Sequence, residues 1–95
     1  MYSNYMEEIH AFVHGKVQMV MFRDFVQKKA RSLALSGWVR NTPDFSVEVV
    51  ARGSEENLKK LIERLHKGPF HARVLKVDLE WREPTEDTYG FEIEY

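Results

Sequence analysis

The sequence predicts an α+β domain, a β-α-β-β-α-β order with one additional C-terminal strand, in which two helices cover one face of an antiparallel sheet. Three observations predict it. Apolar and polar residues alternate in several short runs, the period of a half-buried strand. Two longer segments between those runs switch to helical spacing. Each of those helices carries a single apolar stripe, so both stripes can be buried together only against the same side of one sheet.

The elements follow in order. Ile9, Ala11 and Val13 alternate with His10, Phe12 and His14 and predict the first strand, ended by Gly15. Phe22, Phe25, Val26, Ala30 and Leu33 form one stripe of a helix running to about Leu35, with Lys28, Lys29 and Arg31 outside. Ser36-Gly37 breaks it, and Trp38 to Asn41 predicts a short strand. Thr42-Pro43-Asp44-Phe45 reads as a turn. Ser46 to Arg52 is the return strand, with Val47, Val49 and Ala51 on one face. Ser54 can cap a second helix, whose positive end suits Glu55 and Glu56. Leu58, Leu61, Ile62 and Leu65 are its stripe, and Gly68-Pro69 stops it. Leu75, Val77, Leu79 and Trp81 alternate with Lys76, Asp78 and Glu80 as a fourth strand. A polar loop over Glu83 to Tyr89 leads to Phe91, Ile93 and Tyr95, which alternate with Glu92 and Glu94 as a fifth. The arrangement is the ferredoxin-like, split βαβ plan.

Ninety-five residues admit one domain, read as 1–95 with 1–7 as a loose leader. The net charge of −1 gives no polycationic character pointing to nucleic acid. Without cysteine there is neither disulfide nor thiolate chemistry, which fits a reducing cytoplasm. No apolar run approaches the roughly 18 residues of a membrane span, and the first residues lack the apolar stretch of a signal peptide.

The strongest functional clue lies between the first strand and the first helix. Gly15-Lys16-Val17-Gln18-Met19-Val20-Met21-Phe22-Arg23 puts a turn after a strand and an arginine at the mouth of a helix. A helix start already carries positive partial charge, so a cation there is unfavourable unless an anion joins it. Loop N–H groups, helix start and Arg23 therefore suggest a shared anion site, most simply for phosphate. The plain alternative is a surface ion pair between Arg23 and Asp24. Asn41 could equally be a strand-end residue that caps a turn.

In these residues the chain resembles the acylphosphatases, from about Glu8 to Tyr95. The family's motif G-x-V-Q-G-V-G-F-R is matched by Gly15, Val17, Gln18, Val20, Phe22 and Arg23. A second, G-W/Y-V-x-N-x-x-D-G-x-V-E, is matched by Gly37, Trp38, Val39, Asn41, Asp44, Val47 and Glu48. Gly68-Pro69 followed by Ala72-Arg73-Val74 is similar to a later family segment. The resemblance implies hydrolysis of the carboxyl–phosphate bond of acyl phosphates, yielding a carboxylate and inorganic phosphate, with no metal or cofactor. It implies that Gly15, Lys16, Val17, Gln18, Met19, Val20, Met21 and Phe22 cradle the phosphate with backbone N–H groups. Arg23 would hold phosphate oxygens, and Asn41 would orient the attacking water. The expected partners are an acyl phosphate substrate and inorganic phosphate, not nucleic acid or membrane, for a monomer acting in the cytoplasm.

Four positions depart from the family pattern by replacing a frequent glycine: Met19 and Met21 in the loop, Ala34 near a helix end, and Phe45 in the hairpin turn. A non-glycine residue at positive φ costs about 1–2 kcal/mol. Either the turn at Phe45 changes type, which could shift Asn41, or the chain absorbs the strain. Phe45 is also expected to be exposed. A second class of function, an anion-binding module that no longer turns over, would follow if these substitutions had ended catalysis. A third, single-stranded RNA binding, needs aromatics on the central strands, and Ser46 to Arg52 has none. His10 and His14 share a strand face but sit about 13 Å apart, too far for one metal ion. His66 and His71 straddle Gly68-Pro69 and are assigned no role.

Overall fold

The computed structural model describes residues 6–86 and 89–95. Its elements are β1 (Glu7–Lys16), α1 (Phe22–Ser32), β2 (Ser36–Asn41), β3 (Val47–Gly53), α2 (Glu55–Lys67), β4 (Arg73–Arg82) and β5 (Phe91–Glu94). They form one sheet in the order β4-β1-β3-β2-β5, with both helices against one face. Ile9, Ala11 and Val13 from β1, Val47, Val49 and Ala51 from β3, and Val39 from β2 meet Phe22, Val26 and Ala30 of α1 and Leu58, Leu61 and Leu65 of α2 in a single core.

Four strands are antiparallel as expected, but β5 lies parallel to β2, so the sheet is mixed. The register explains it. The end of β4 at Arg82 pairs with Glu8, and the start of β2 at Ser36 pairs with Arg52, which is itself opposite Glu8. The chain therefore leaves β4 at the end of the sheet where β2 begins. A strand that enters beside β2 from that end must run in the same direction.

Three boundaries differ from the sequence reading. Residues 1–5 of the expected leader lie outside the described residues, but Glu7 already belongs to β1 and the side chain of Glu8 is fully buried. Helix α1 ends at Ser32 rather than near Leu35. The Leu35 N–H donates to the Ala30 carbonyl and the Ala34 N–H to the Arg31 carbonyl, with Ala34 at φ 56°, so a left-handed Schellman turn closes the helix. Ser36 and Gly37, read as breakers, are already in β2.

Leu75 is the third. The alternation of β4 places it on the core face with Val77, but a bulge intervenes: His14 pairs with Lys76 and Gly15 with Val74, leaving Leu75 unpaired and 76% exposed. Val74 packs on the core instead. Gly15 permits this approach, since a Cβ there would lie 2.2 Å from the Arg73 carbonyl oxygen. The second helix begins and ends as its sequence indicates, with Ser54 Oγ accepting from the Asn57 N–H and Gly68 at its C-terminus.

Candidate active site

The β1–α1 loop, the start of α1, the end of β2 and the end of β5 converge on one cleft of about 420 Å³. Val17, Met19, Met21, Phe22, Arg23 and Asn41 line it, together with Asp24, Ile93 and Tyr95. Six of the ten predicted site residues thus surround one space. Gly15 and Lys16 belong to β1 and, with Gln18 and Val20, do not line it.

Helix α1 starts here because Met21 turns left-handed, at φ 63°, immediately before it. No side chain caps this start, and Phe25 donates the first helical hydrogen bond back to the Met21 carbonyl. The first-turn N–H groups of an α-helix have no partner within the helix. Met19 is also left-handed, at φ 61°. Both methionines therefore occupy backbone geometry that favours glycine.

Arg23 projects from the first turn and its guanidinium lies over the Tyr95 ring, 4.8 Å from the centroid. It makes no ion pair among the described residues. Asp24, the acid nearest in sequence, pairs instead with Lys28 at 3.3 Å, which removes the plain reading of Arg23. The guanidinium is a planar fork of donors without an anion.

Asn41, at the end of β2, holds a buried side-chain oxygen, Oδ1, that has no hydrogen-bond partner among the described residues. Buried polar atoms are nearly always satisfied, so an orphan oxygen on a residue that lines the cleft is open to a small polar partner.

The hairpin after Asn41 keeps its type. The Phe45 N–H donates to the Thr42 carbonyl and the Thr42 N–H to the Ser46 carbonyl, with Phe45 at φ 70°. This is a type I turn followed by a left-handed residue, a place glycine usually takes. The chain absorbs the strain through polar contacts. Asp44 Oδ1 accepts from the Thr42 hydroxyl, from the Ser46 hydroxyl at 2.8 Å and from the Ser46 N–H at 3.2 Å. The Thr42 hydroxyl, then the Ser46 hydroxyl and N–H, pull the Asp44 carboxyl from 3.8 down to about 2. Phe45 is exposed, as expected.

Two features escaped the sequence. Gln18 does not aim its side chain into the cleft: its Nε2 donates to the carbonyls of Thr42, at 3.0 Å, and Ser46, at 2.8 Å, tying the loop to the hairpin. Nothing local could reveal this, because the two segments are 24 and 28 residues apart. Tyr95 and Ile93 reach the cleft because β5 docks beside β2. Their alternation was legible, but the strand order was not.

The histidines stay outside. His10 pairs with Glu48 at 2.7 Å and His14 with Asp78 at 3.0 Å. Among the described residues no group of three or more His, Cys, Asp or Glu side chains could hold a metal, and no helix is long and apolar enough to cross a membrane.

The family model for acylphosphatase matches residues 9–93. A protein from Roseiflexus sp. (strain RS-1) named acylphosphatase is 42% identical over 93% of this chain and 95% of its own length. The crystal structure of acylphosphatase from Bacillus subtilis superposes with a TM-score of 0.91 at 34% identity, covering 94% of this chain and 99% of that one. The structure of an acylphosphatase from Coxiella burnetii gives 0.88 at 42% identity over 94% and 93%.

Proposed function

The chain belongs to the acylphosphatase family, and from that premise we propose how its cleft hydrolyses acyl phosphates. The loop N–H groups between Val17 and Phe22 and the start of α1 receive the phosphate, Arg23 grips its oxygens, and Asn41 aims the water. The observation that carries this reading is the orphaned, buried Oδ1 of Asn41 in the same cleft as an arginine without an anion.

Left-handed residues reverse the direction of successive amides, and such reversals let backbone N–H groups converge on an anion. Met19 and Met21 supply two in three residues. Arg23 adds a bidentate donor pair suited to phosphate oxygens. Its stacking on Tyr95 limits the guanidinium's freedom before substrate arrives, so less order is lost on binding.

Asn41 Oδ1 accepts a hydrogen bond from the water and turns a lone pair of the water oxygen toward phosphorus. As the new O–P bond forms, the bond between phosphorus and the acyl oxygen breaks, and the carboxylate leaves with the electron pair. A phosphoryl oxygen of the substrate takes the water's proton, so no strong base is required. Charge spread over the phosphoryl oxygens is stabilised by Arg23 and the fixed amide dipoles, the main contribution a protein makes to phosphoryl transfer.

The test is hydrolysis of benzoyl phosphate, followed by ultraviolet absorbance in the presence of a chelator. Arg23→Ala is expected to lose about 10²–10³ in kcat/KM, the scale of removing one oxyanion donor. Asn41→Ala is expected to lose turnover while inorganic phosphate still binds. Equal loss of both in Asn41→Ala argues against water positioning. A well-folded chain that binds phosphate without hydrolysis would be the non-catalytic module.

A further inference from the structure

The cleft carries an apolar rim that breaking a carboxyl–phosphate bond does not itself require. Its floor is Val17 and Phe22, each 1% exposed. Around the opening stand Met19, 98% exposed, Met21, 71% exposed, and Tyr95, fully exposed. None of these three side chains belongs to the core, so the fold gains little from their apolar surface. The two methionines also hold left-handed backbone, which glycine would adopt without strain. Apolar side chains gathered at the mouth of a polar site mark a surface that a ligand covers.

The polar groups fix which part of a ligand that is. With the phosphate on Arg23 and the helix start, the acyl group points out of the cleft and passes the rim. Thioethers are flexible and polarizable and make favourable contacts with aromatic rings. The phenol of Tyr95 offers a second flat face.

We propose that Met19, Met21 and Tyr95 form an acyl subsite that selects acyl phosphates with aromatic or bulky apolar acyl groups over acetyl phosphate. The proposal rests on the phosphate reading of Arg23 and Asn41, and it assigns the methionine side chains a role separate from the backbone amides of the same residues.

Non-hydrolysable acylphosphonates test binding apart from turnover. Titration calorimetry is expected to find benzoylphosphonate bound roughly tenfold more tightly than acetylphosphonate, the scale of burying part of a phenyl ring. The double variant Met19→Gly, Met21→Gly, whose backbone is relieved rather than strained, is expected to bring that ratio close to one, and Tyr95→Ala to lower it. The double variant Met19→Leu, Met21→Leu is expected to keep it. A ratio near one in the unaltered chain overturns the subsite. So does a double glycine variant that weakens both ligands by the same factor, since that is damage to the phosphate cradle alone. Benzoyl phosphate hydrolysis, run in parallel, reports on the phosphatase reading: selective binding of benzoylphosphonate without hydrolysis would keep the subsite and sink the catalysis.

Discussion

Met19, Met21, Ala34 and Phe45 hold positive φ without being glycine, and they are the four positions that the sequence reading marks as replacing a frequent glycine. The strain is real but small for each, about 1–2 kcal/mol, partly offset because glycine would lose more entropy on folding. Ala34 is the clean case, since it lies outside the cleft and terminates α1 through backbone hydrogen bonds that glycine would also make. Ala34→Gly is expected to stabilise the chain by about 1 kcal/mol and raise Tm by about 4–8 °C, read by calorimetry. An unchanged or lower Tm would mean that the Schellman turn relaxes around alanine. At this scale the sequence was informative about which residues are strained but silent on how strain is borne. At Phe45 the answer is the hydroxyl and carboxylate cluster of Thr42, Asp44 and Ser46, whose members are adjacent in sequence but whose bonding depends on the turn they create.

Elements are joined at the cleft by a side chain rather than by packing. Gln18 carries the β1–α1 loop to the carbonyls of Thr42 and Ser46, next to the residue that presents the orphaned oxygen. Gln18→Ala removes two hydrogen bonds but leaves each carbonyl a backbone donor, the Phe45 N–H on Thr42 and the Thr42 N–H on Ser46, so it costs about 0.5–1.5 kcal/mol per bond lost. Its stronger expected effect is on turnover, because Asn41 is then free to shift relative to the loop. A stopped assay should show kcat falling more than phosphate affinity, and equal falls would confine Gln18 to holding the loop. The sheet adds a sharper constraint at Gly37, where a Cβ would stand 1.9 Å from the Val50 carbonyl oxygen at φ 139°. Gly37→Ala is expected to separate β2 from β3 and cost more than about 3 kcal/mol, visible in a urea melt. Element types were legible because periodicity is local. The β4 bulge and the parallel entry of β5 were not, since both are set by register against strands far away in the chain.

Across the whole molecule, the sheet face opposite the helices is crossed by charges instead of a second apolar layer. Glu8 on β1 is fully buried and accepts from Arg52 on β3 at 2.6 Å, from Arg82 on β4, and from the Thr85 N–H at 3.2 Å. Arg82 also reaches His10, which bonds Glu48, and Glu48 accepts from Arg40 on β2 at 2.9 Å. One polar network thus spans four of the five strands. Burial raises the Glu8 carboxyl, but the hydrogen bonds from Arg82 and Thr85 and the charge of Arg52 outweigh it and leave it below its ordinary value. Glu48 behaves alike: burial raises it, and His10 and Arg40 more than compensate. Each of these carboxyls therefore takes up its proton more readily in the unfolded chain than in the native one. Between the two pKa values the unfolded state binds more protons, so stability rises with pH across that window and is lost as pH falls. The window opens near 4.5 for the two glutamates and near 3.8 for Asp44, and for Asp44 it closes at about 2. Urea unfolding measured from about pH 6 to about pH 2.5 is expected to give constant stability above the window and a steady decline within it. Glu8→Gln, which keeps the shape but removes the charge, is expected to start about 1–3 kcal/mol less stable and to lose less on acidification. If its acid limb is as steep as that of the unaltered chain, the network is not what acid dismantles, and the open face is held by packing around Val50 and Phe12 instead.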